Sequence, residues 1–305
     1  MPTATHQITL NKDQKRITCP VDNTILQATI AANINHTHAC GGNGKCSTCR
    51  VGVIEGIEYC QPRNSAEQEI ADKLNFPDEV RLACQTTIIG DIFIRRLIAD
   101  EMDMEIVNDQ FTDESGAALG RERVLTILFT DIVNYTSFAE QFPSYDIVHV
   151  LNRYFRTMNK VIQEHHGFIS DTAGDGILAL FGHNGGKSNS VLDAVRAVQD
   201  MHKALMSFNQ YLQHNFNSTF AIRAGVHHGD VIMGHFDIGS LKKLAVIGDN
   251  VNLASRIETA NKLFGTHTLL SAQAYDQVKQ QYPSCRSHRT SLKGKRGEFE
   301  LFEVL

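Results

Sequence analysis

The sequence predicts an α+β protein of two domains, on three observations. Residues 6–34 read as two short strands followed by a helix. Residues 99–120 carry seven acidic side chains (Asp100, Glu101, Asp103, Glu105, Asp109, Asp113 and Glu114) and no Lys or Arg, the composition of a linker. From Arg121 onward, short apolar runs alternate with long stretches of helical period. The expected division is a first domain over 1–98, an acidic linker over 99–120 and a second domain over 121–305.

In the first domain, apolar runs at 7–10 and 16–19 flank the polar Asn11-Lys12-Asp13-Gln14 turn, and Ile25, Ala28, Thr29 and Ala32 follow helical spacing. A cysteine-rich loop comes next. Then follow a strand over 49–54, an acidic helix over 65–74, Arg81-Leu82-Ala83-Cys84, and a last strand over 88–94. In the second domain an apolar run over 124–129 delivers the carboxylate of Asp131. Ser144 is expected to cap a helix that buries Ile147, Leu151, Phe155, Met158 and Ile162 and stops at Gly167. Runs at 168–170 and 177–181 flank Thr172-Ala173-Gly174-Asp175-Gly176. A helix from about Ser190 to His214 carries Ala194, Val198, Met201, Leu205, Phe208 and Leu212 on one stripe, which reads as core. Strands over 220–226, 230–233 and 244–247 lead into a helix over 251–261 that Gly265 closes. His227 and His228 lie on a strand near the centre and read as packed or hydrogen-bonded side chains rather than a catalytic base.

At 305 residues, 42% hydrophobic and 21% charged, the chain is expected to bury an ordinary globular core. A net charge of -5 gives no reason to expect nucleic acid or an anionic membrane as partner. No apolar run approaches the roughly 18 residues that span a bilayer, and the N-terminus lacks a signal pattern, so a cytoplasmic location is expected.

Seven cysteines are present, and Cys40, Cys46, Cys49 and Cys84 have the spacing C-x5-C-x2-C-x34-C, with Gly41, Gly42 and Gly44 in the first interval. An iron-sulfur cluster needs four converging thiolates, and glycines let backbone N-H groups approach its sulfurs. Structural zinc is the alternative, but zinc sites favour paired C-x2-C knuckles or Cys with His, and only one knuckle is present. Cys19, Cys60 and Cys285 are expected to be small buried hydrophobes.

Asp131 and Asp175, both at strand ends, suit a hard cation such as Mg²⁺ that takes oxygen ligands and leaves room for phosphate oxygens. Taken singly, Asp131 also reads as a helix cap and Asp175 as a turn residue.

Cys-Gly-Gly-Asn-Gly-Lys-Cys-Ser-Thr-Cys-Arg-Val from Cys40, with Arg-Leu-Ala-Cys-Gln from Arg81, resembles the 2Fe-2S ferredoxins over residues 6–96. The five-residue first interval is similar to the adrenodoxin and bacterial type. This resemblance implies a β-grasp fold with Cys40, Cys46, Cys49 and Cys84 as cluster ligands. Residues 121–305 resemble the class III nucleotide cyclases in four segments taken in order: Phe-Thr-Asp-Ile at 129, Ala-Gly-Asp-Gly at 173, Val246-Ile247-Gly248-Asp249-Asn250-Val251-Asn252-Leu253-Ala254-Ser255-Arg256-Ile257, and Leu-Lys-Gly-Lys at 292.

The second resemblance implies a ferredoxin-like βαββαβ core and two Mg²⁺ or Mn²⁺ held by Asp131, Asp175 and the backbone carbonyl of Ile132. It also implies transition-state roles for Asn252 and Arg256 and a triphosphate contact from Lys293. In that chemistry the ribose 3′ hydroxyl attacks the α-phosphorus while pyrophosphate leaves, so positioning and charge stabilisation carry the catalysis. Asn252 lies at i-4 from Arg256, on the same helix face. The backbone N-H groups of Val133, Asn134 and Tyr135 are expected to cradle phosphate oxygens.

Family habit puts the two halves of a site on different subunits, which implies a homodimer. The purine-facing positions hold Asp171 and Ala245, a departure from well-studied adenylate cyclases that leaves ATP favoured over GTP by family habit alone. The sequence thus points to an adenylate cyclase regulated by the redox state of an N-terminal cluster, with an electron donor or acceptor as a further partner. The alternatives are a guanylate cyclase and an electron-transfer ferredoxin carrying an inactive nucleotide-binding domain. An electron added about 10 Å from a charged element changes its energy by roughly 1.7 kcal/mol at an effective dielectric near 20, enough for a severalfold population shift.

Overall fold

The computed structural model describes residues 4–11, 13–98, 102, 121–183, 189–238 and 241–304. The chain separates into two compact units, Met1–Leu119 and Gly120–Leu305. Apart from Met102, the acidic stretch 99–120 lies outside the described residues.

The first unit runs β1 (Thr5–Leu10), β2 (Lys15–Pro20), α1 (Ile25–Ala31), β3 (Arg50–Glu55), a short 3-10 turn (Ile57–Tyr59), α2 (Ser65–Leu74), β4 (Val80–Leu82) and β5 (Ile92–Arg96). The sheet order is β2-β1-β5-β3-β4, with β1 and β5 parallel and the other neighbours antiparallel. This is a β-grasp sheet. Helix α1 begins at a capping box, in which Thr24 accepts from the Gln27 amide and Gln27 from that of Thr24. Its inner face, Ile25, Leu26 and Ala28, packs against Ile8, Leu10, Val51 and Ile94. The expected strand over 88–94 is in fact an isolated bridge, Cys60 to Ile88, followed by β5, because the chain turns at Gly90 under the Tyr59 ring.

The second unit runs β6 (Arg121–Ile132), α3 (Tyr135–Gln141), α4 (Ser144–Glu164), β7 (Phe168–Ala173), β8 (Gly176–Phe181), α5 (Ser190–Phe216), β9 (Ile222–Ile238), β10 (Leu241–Ile247), α6 (Asp249–Phe264), β11 (Thr268–Ser271), α7 (Ala272–Asp276), β12 (Arg286–Thr290) and β13 (Phe299–Glu303). The sheet order is β12-β13-β11-β9-β6-β8-β7, with β10 on β9. The central β9-β6-β8-β7 order is that of a ferredoxin-like βαββαβ core. One apolar cluster joins Leu128 and Ile132 of β6 to Met158 of α4 and Val198 and Phe208 of α5. A second joins Leu125 and Ile127 of β6 to Val231 of β9 and Ala254 of α6. The sheet is therefore buried on both sides of β6.

Local expectations shift in several places. Helix α4 is capped by Pro143, whose carbonyl accepts from Ile147, so Ser144 is already helical. The left-handed stop residue is His166, with Gly167 one position later because a Cβ there would meet Phe181 at 2.4 Å. The buried stripe of α4 is Val150, Tyr154, Met158, Val161 and Ile162, while Ile147, Leu151 and Phe155 are only partly covered. Strands expected at 220–226 and 230–233 form one strand, β9, which continues through Gly229. Cys19 is buried as expected; Cys60 and Cys285 are half-buried.

Candidate functional site

The β6–β8 register sets Thr130 opposite Ile177, which brings the β7–β8 turn to the end of β6. Gly174 makes that turn in the left-handed region (φ 64°). The Asp175 carboxylate then lies within hydrogen-bonding range of Asp131. The Ile132 amide donates to Asp175 Oδ2 at 3.0 Å. Burial, with the Asp131 charge next, pushes the Asp175 carboxyl up to about 6. Two half-buried carboxylates this close repel one another, and a divalent cation between them would relieve the repulsion, so the donor set fits Mg²⁺ or Mn²⁺. Asp131 is no helix cap: α3 starts four residues later, after Asn134 in the left-handed region (φ 59°). Among the described residues no three His, Cys, Asp or Glu side chains converge on one ion position.

The expected phosphate cradle is only partly available. The Val133 amide is spent on Ala221 O at 2.8 Å, because the pairing of β6 continues one residue past Ile132. Asn134 and Tyr135 remain at the head of α3. Burial raises the Tyr135 hydroxyl above its ordinary range, and Asp175 adds to the shift.

Helix α6 has two unlike faces. Leu253, Ala254, Ile257, Glu258 and Asn261 are buried, and α6 lies so close to β9 that a Cβ on Gly225 would sit 2.2 Å from the Glu258 amide. Asn252 and Arg256 are exposed. Positions 256 and 258 are roughly 200° apart around a helix. The buried face therefore turns Glu258 toward Asp131, whose charge adds to burial in raising Glu258 to about 7. The face bearing Asn252 and Arg256 looks away. The structure thus brings Asp131, Ile132 and Asp175 together within the chain and leaves Asn252 and Arg256 on a face turned away from them.

Lys293 is exposed in the loop between β12 and β13, and Lys295 is tied to Asp249 at the start of α6. Asp171 is exposed on β7, its Oδ1 accepting from the Thr172 amide at 2.9 Å, and Ala245 pairs with Gly234 on the β9–β10 arm.

Two residues near the carboxylates escape the sequence reading. Glu258 is a buried acid whose Oε1 lacks a hydrogen bond, and Tyr154 is fully buried with its hydroxyl facing that of Thr130. The signal for Glu258 is its place on the buried stripe between Ala254 and Asn261.

In the first unit the four cysteines gather as two pairs, Cys40 with Cys46 and Cys49 with Cys84. A hydrogen bond from Cys46, then the amides of Lys45, Asn43 and Gly42, holds the Cys40 thiol below its usual range. Cys49, then the Gln85 side chain and the Gly44 amide, does the same for Cys84. Cys46 and Cys49, the donors, are raised. Gly41, Gly42 and Gly44 all have φ between 66° and 83°, and a Cβ on Gly44 would press Ala66 and Gln85 at 3.1 Å. Amides turned toward paired sulfurs, with glycine where no side chain fits, suit a two-iron cluster with two thiolates per iron. A buried ion pair fixes the return strand: Glu67 accepts from Arg81 Nε at 2.9 Å and from the Leu82 amide at 2.7 Å.

Residues 119–304 match the adenylate and guanylate cyclase catalytic domain, and residues 8–88 match the 2Fe-2S iron-sulfur cluster binding domain. The chain belongs to the class III nucleotide cyclase family, with a 2Fe-2S ferredoxin-type domain fused in front. Over 200 residues it is 35% identical to an adenylate cyclase of Anabaena cylindrica, covering 63% of this chain and 38% of that protein. Adenylate cyclase 1 of Rhizobium meliloti (strain 1021) is 28% identical over 190 residues, covering 62% of this chain and 28% of the relative. The chain thus spans well under half the length of these relatives. Among solved structures, the guanylyl cyclase Cya2 superposes with a TM-score of 0.57 at 29% identity, covering 61% of this chain and 93% of that one. The adenylyl cyclase CyaB of P. aeruginosa gives 0.56 at 25% identity, covering 61% and 95%. Among the described residues no helix is long and apolar enough to cross a membrane.

Proposed function

We propose that the chain is a homodimeric adenylate cyclase that converts ATP to 3′,5′-cyclic AMP and pyrophosphate, regulated by the redox state of its N-terminal domain. On this reading residues 1–98 form the cluster domain, 99–120 the linker and 121–305 the catalytic domain. The observation that carries it is the Asp131–Asp175 pair in a cyclase fold, with Asn252 and Arg256 on a helix face turned away from it. A second copy supplies the missing half, so each of two equivalent sites joins carboxylates from one protomer to Asn252 and Arg256 of the other.

Asp131, Asp175 and the Ile132 carbonyl hold the two divalent ions. When bound, these supply Lewis acidity at the ribose 3′ oxygen and at the leaving phosphates. Arg256 neutralises charge that grows on the α-phosphate, Asn252 orients the ribose, and Lys293 holds the triphosphate. The 3′ oxygen forms a bond to the α-phosphorus as the bond to the β-phosphate oxygen breaks, with no covalent step on the protein. Cys40, Cys46, Cys49 and Cys84 hold the cluster.

Adenine is favoured because the two curated relatives above are adenylate cyclases. Asp171 is the purine-facing acceptor, and Ala245 offers no hydrogen bond. The test is anaerobic purification followed by product analysis with ATP and GTP separately. Cyclic AMP from ATP is expected, with turnover abolished in Asp175→Ala. Cyclic GMP from GTP alone would move the assignment to a guanylate cyclase, and equal turnover in variant and parent would remove the mechanism. For the regulatory part, the same kcat and KM at oxidising and reducing potentials would refute redox control.

A further inference from the structure

Helix α6 carries Asn252 in its first turns, yet its N-cap is Gly248, which offers no side-chain hydrogen bond. A helix start without a cap frays, because its first amides have no partner. Two side-chain links hold the helix start in place without accepting from those amides. Lys295 reaches Asp249, bonding its carbonyl at 3.2 Å and its carboxylate, which joins the loop of Lys293 to the helix start. Asn250 is gripped from beneath by β9.

The second link is a directed chain of hydrogen bonds. Ser271 Oγ accepts from the Ala274 amide at 3.2 Å, so its own hydrogen is free for His227 Nδ1 at 2.8 Å. That leaves Nε2 as the protonated nitrogen of a neutral imidazole, donating to Asn250 Oδ1 at 3.0 Å. Asn250 Nδ2 then donates to Asp230 O at 2.8 Å, which fixes the orientation of the amide. His227 is 2% exposed, and its burial holds it neutral. The space is equally determined: a Cβ on Gly229 would lie 2.7 Å from Asn250 Nδ2 and 3.1 Å from His227 Nε2. Every member thus has one place and one donor direction.

We infer that His227 and Asn250 are positioning residues that set the start of α6, and so place Asn252 and Arg256 for the site completed in the partner subunit. The inference rests on the cyclase reading above. His227 is buried with both ring nitrogens on Ser271 and Asn250, so it acts from β9 of one protomer on chemistry that uses the other protomer's carboxylates. Losing the link lets the first turn of α6 wander, and a displacement of about 1 Å costs on the order of a hundredfold in rate.

Full-length chains carrying two different tags are co-expressed and mixed dimers isolated. Asp131→Ala paired with Arg256→Ala should recover up to half of the parent activity; no recovery there refutes the shared-site reading itself. With that control in hand, His227→Leu paired with Asp131→Ala should recover activity, because the surviving site takes its carboxylates from the His227→Leu chain and α6 from the other. His227→Leu paired with Arg256→Ala should recover none. The reverse pattern would overturn the inference by placing His227 with the carboxylates. Asn250→Ala, at a half-exposed position that threatens no core, should repeat the pattern and lower kcat about tenfold or more with KM within about twofold. The double variant should fall no further than the worse single one, and His227→Gln, which keeps an N-H toward Asn250, should restore at least part of kcat. Additive losses, or no recovery in His227→Gln, would also overturn it.

Discussion

The Ile132 amide donates to Asp175 Oδ2 at 3.0 Å across 43 positions of sequence, and this bond holds a second carboxylate beside Asp131. One N-H cannot offset two negative charges. The Asp175 carboxyl is accordingly raised to about 6 from an ordinary value of 3.8, burial first and Asp131 second. An acid raised on folding binds its proton more tightly in the native state, so stability from this group falls as pH rises from about 4 to about 6 and stays lower above that. Without divalent cations, Asp175→Asn should therefore melt above the parent at pH 7.5, with the gap closing at pH 5. Adding Mg²⁺ or Mn²⁺ should raise the parent and leave Asp175→Asn nearly unmoved. Thermal denaturation at both pH values checks this, and a parent indifferent to both ions would count against the cation site.

Gly225 allows α6 to lie directly on β9. A methyl group there would sit 2.2 Å from the Glu258 amide and 2.7 Å from the Ala254 carbonyl, both backbone. Gly225→Ala should destabilise the second unit by about 1–3 kcal/mol, the usual cost of overpacking, or more if the helix cannot shift. Urea denaturation measures it.

Glu258 is raised to about 7, mainly by burial, from an ordinary 4.5. Its sign is that of Asp175, so the penalty grows between about pH 4.5 and 7 and is complete above 7. Glu258→Gln should melt above the parent at pH 8 and match it near pH 5. A lower melting temperature at pH 8 would show that the ionised carboxylate has a partner that its unpaired Oε1 does not reveal.

In the first unit, Glu67 is wholly buried and accepts from Arg81, the Leu82 amide and Thr86. Glu67→Ala strands the buried Arg81 guanidinium three residues before Cys84, at a cost of about 3–5 kcal/mol. Anaerobic reconstitution should then give less bound iron and weaker visible absorption than the parent. Cys46→Ser should lose the two-iron spectrum, whereas Cys19→Ala should keep it, because Cys19 lies on β2 with its side chain in the apolar core.

Asp171→Ala should lower kcat/KM for the preferred purine nucleotide by about tenfold, near the worth of one lost hydrogen bond, and narrow its preference over the other. Steady-state kinetics with ATP and GTP decide it.

Much of the fold was legible because periodicity reports which residues share a face. The α5 stripe from Ala194 to Leu212, the α2 bounds and the Gly265 stop are local properties, and they stand as the sequence implies. Where a neighbour from elsewhere in the chain fills the space, local signals misled. The strands expected at 220–226 and 230–233 run on as one β9, with Asn250 lying over Gly229, and Val133 reads as a free amide but is claimed by Ala221.

The sequence by itself determined the chemistry-bearing side chains and their spacing: four cysteines among glycines, two aspartates at strand ends, and Asn252 and Arg256 one helical turn apart. Only the tertiary structure decided how they meet. The β6–β8 register sets Asp175 beside Asp131, and the contact of α6 on Gly225 turns Glu258 inward and Arg256 outward. A chain pattern fixes which face of a helix is apolar, but which side chain meets a residue on another strand depends on strand register and on backbone distances as short as those at Gly225. The segment from Phe129 to Ile132 therefore announced a carboxylate, and packing made it half of a pair.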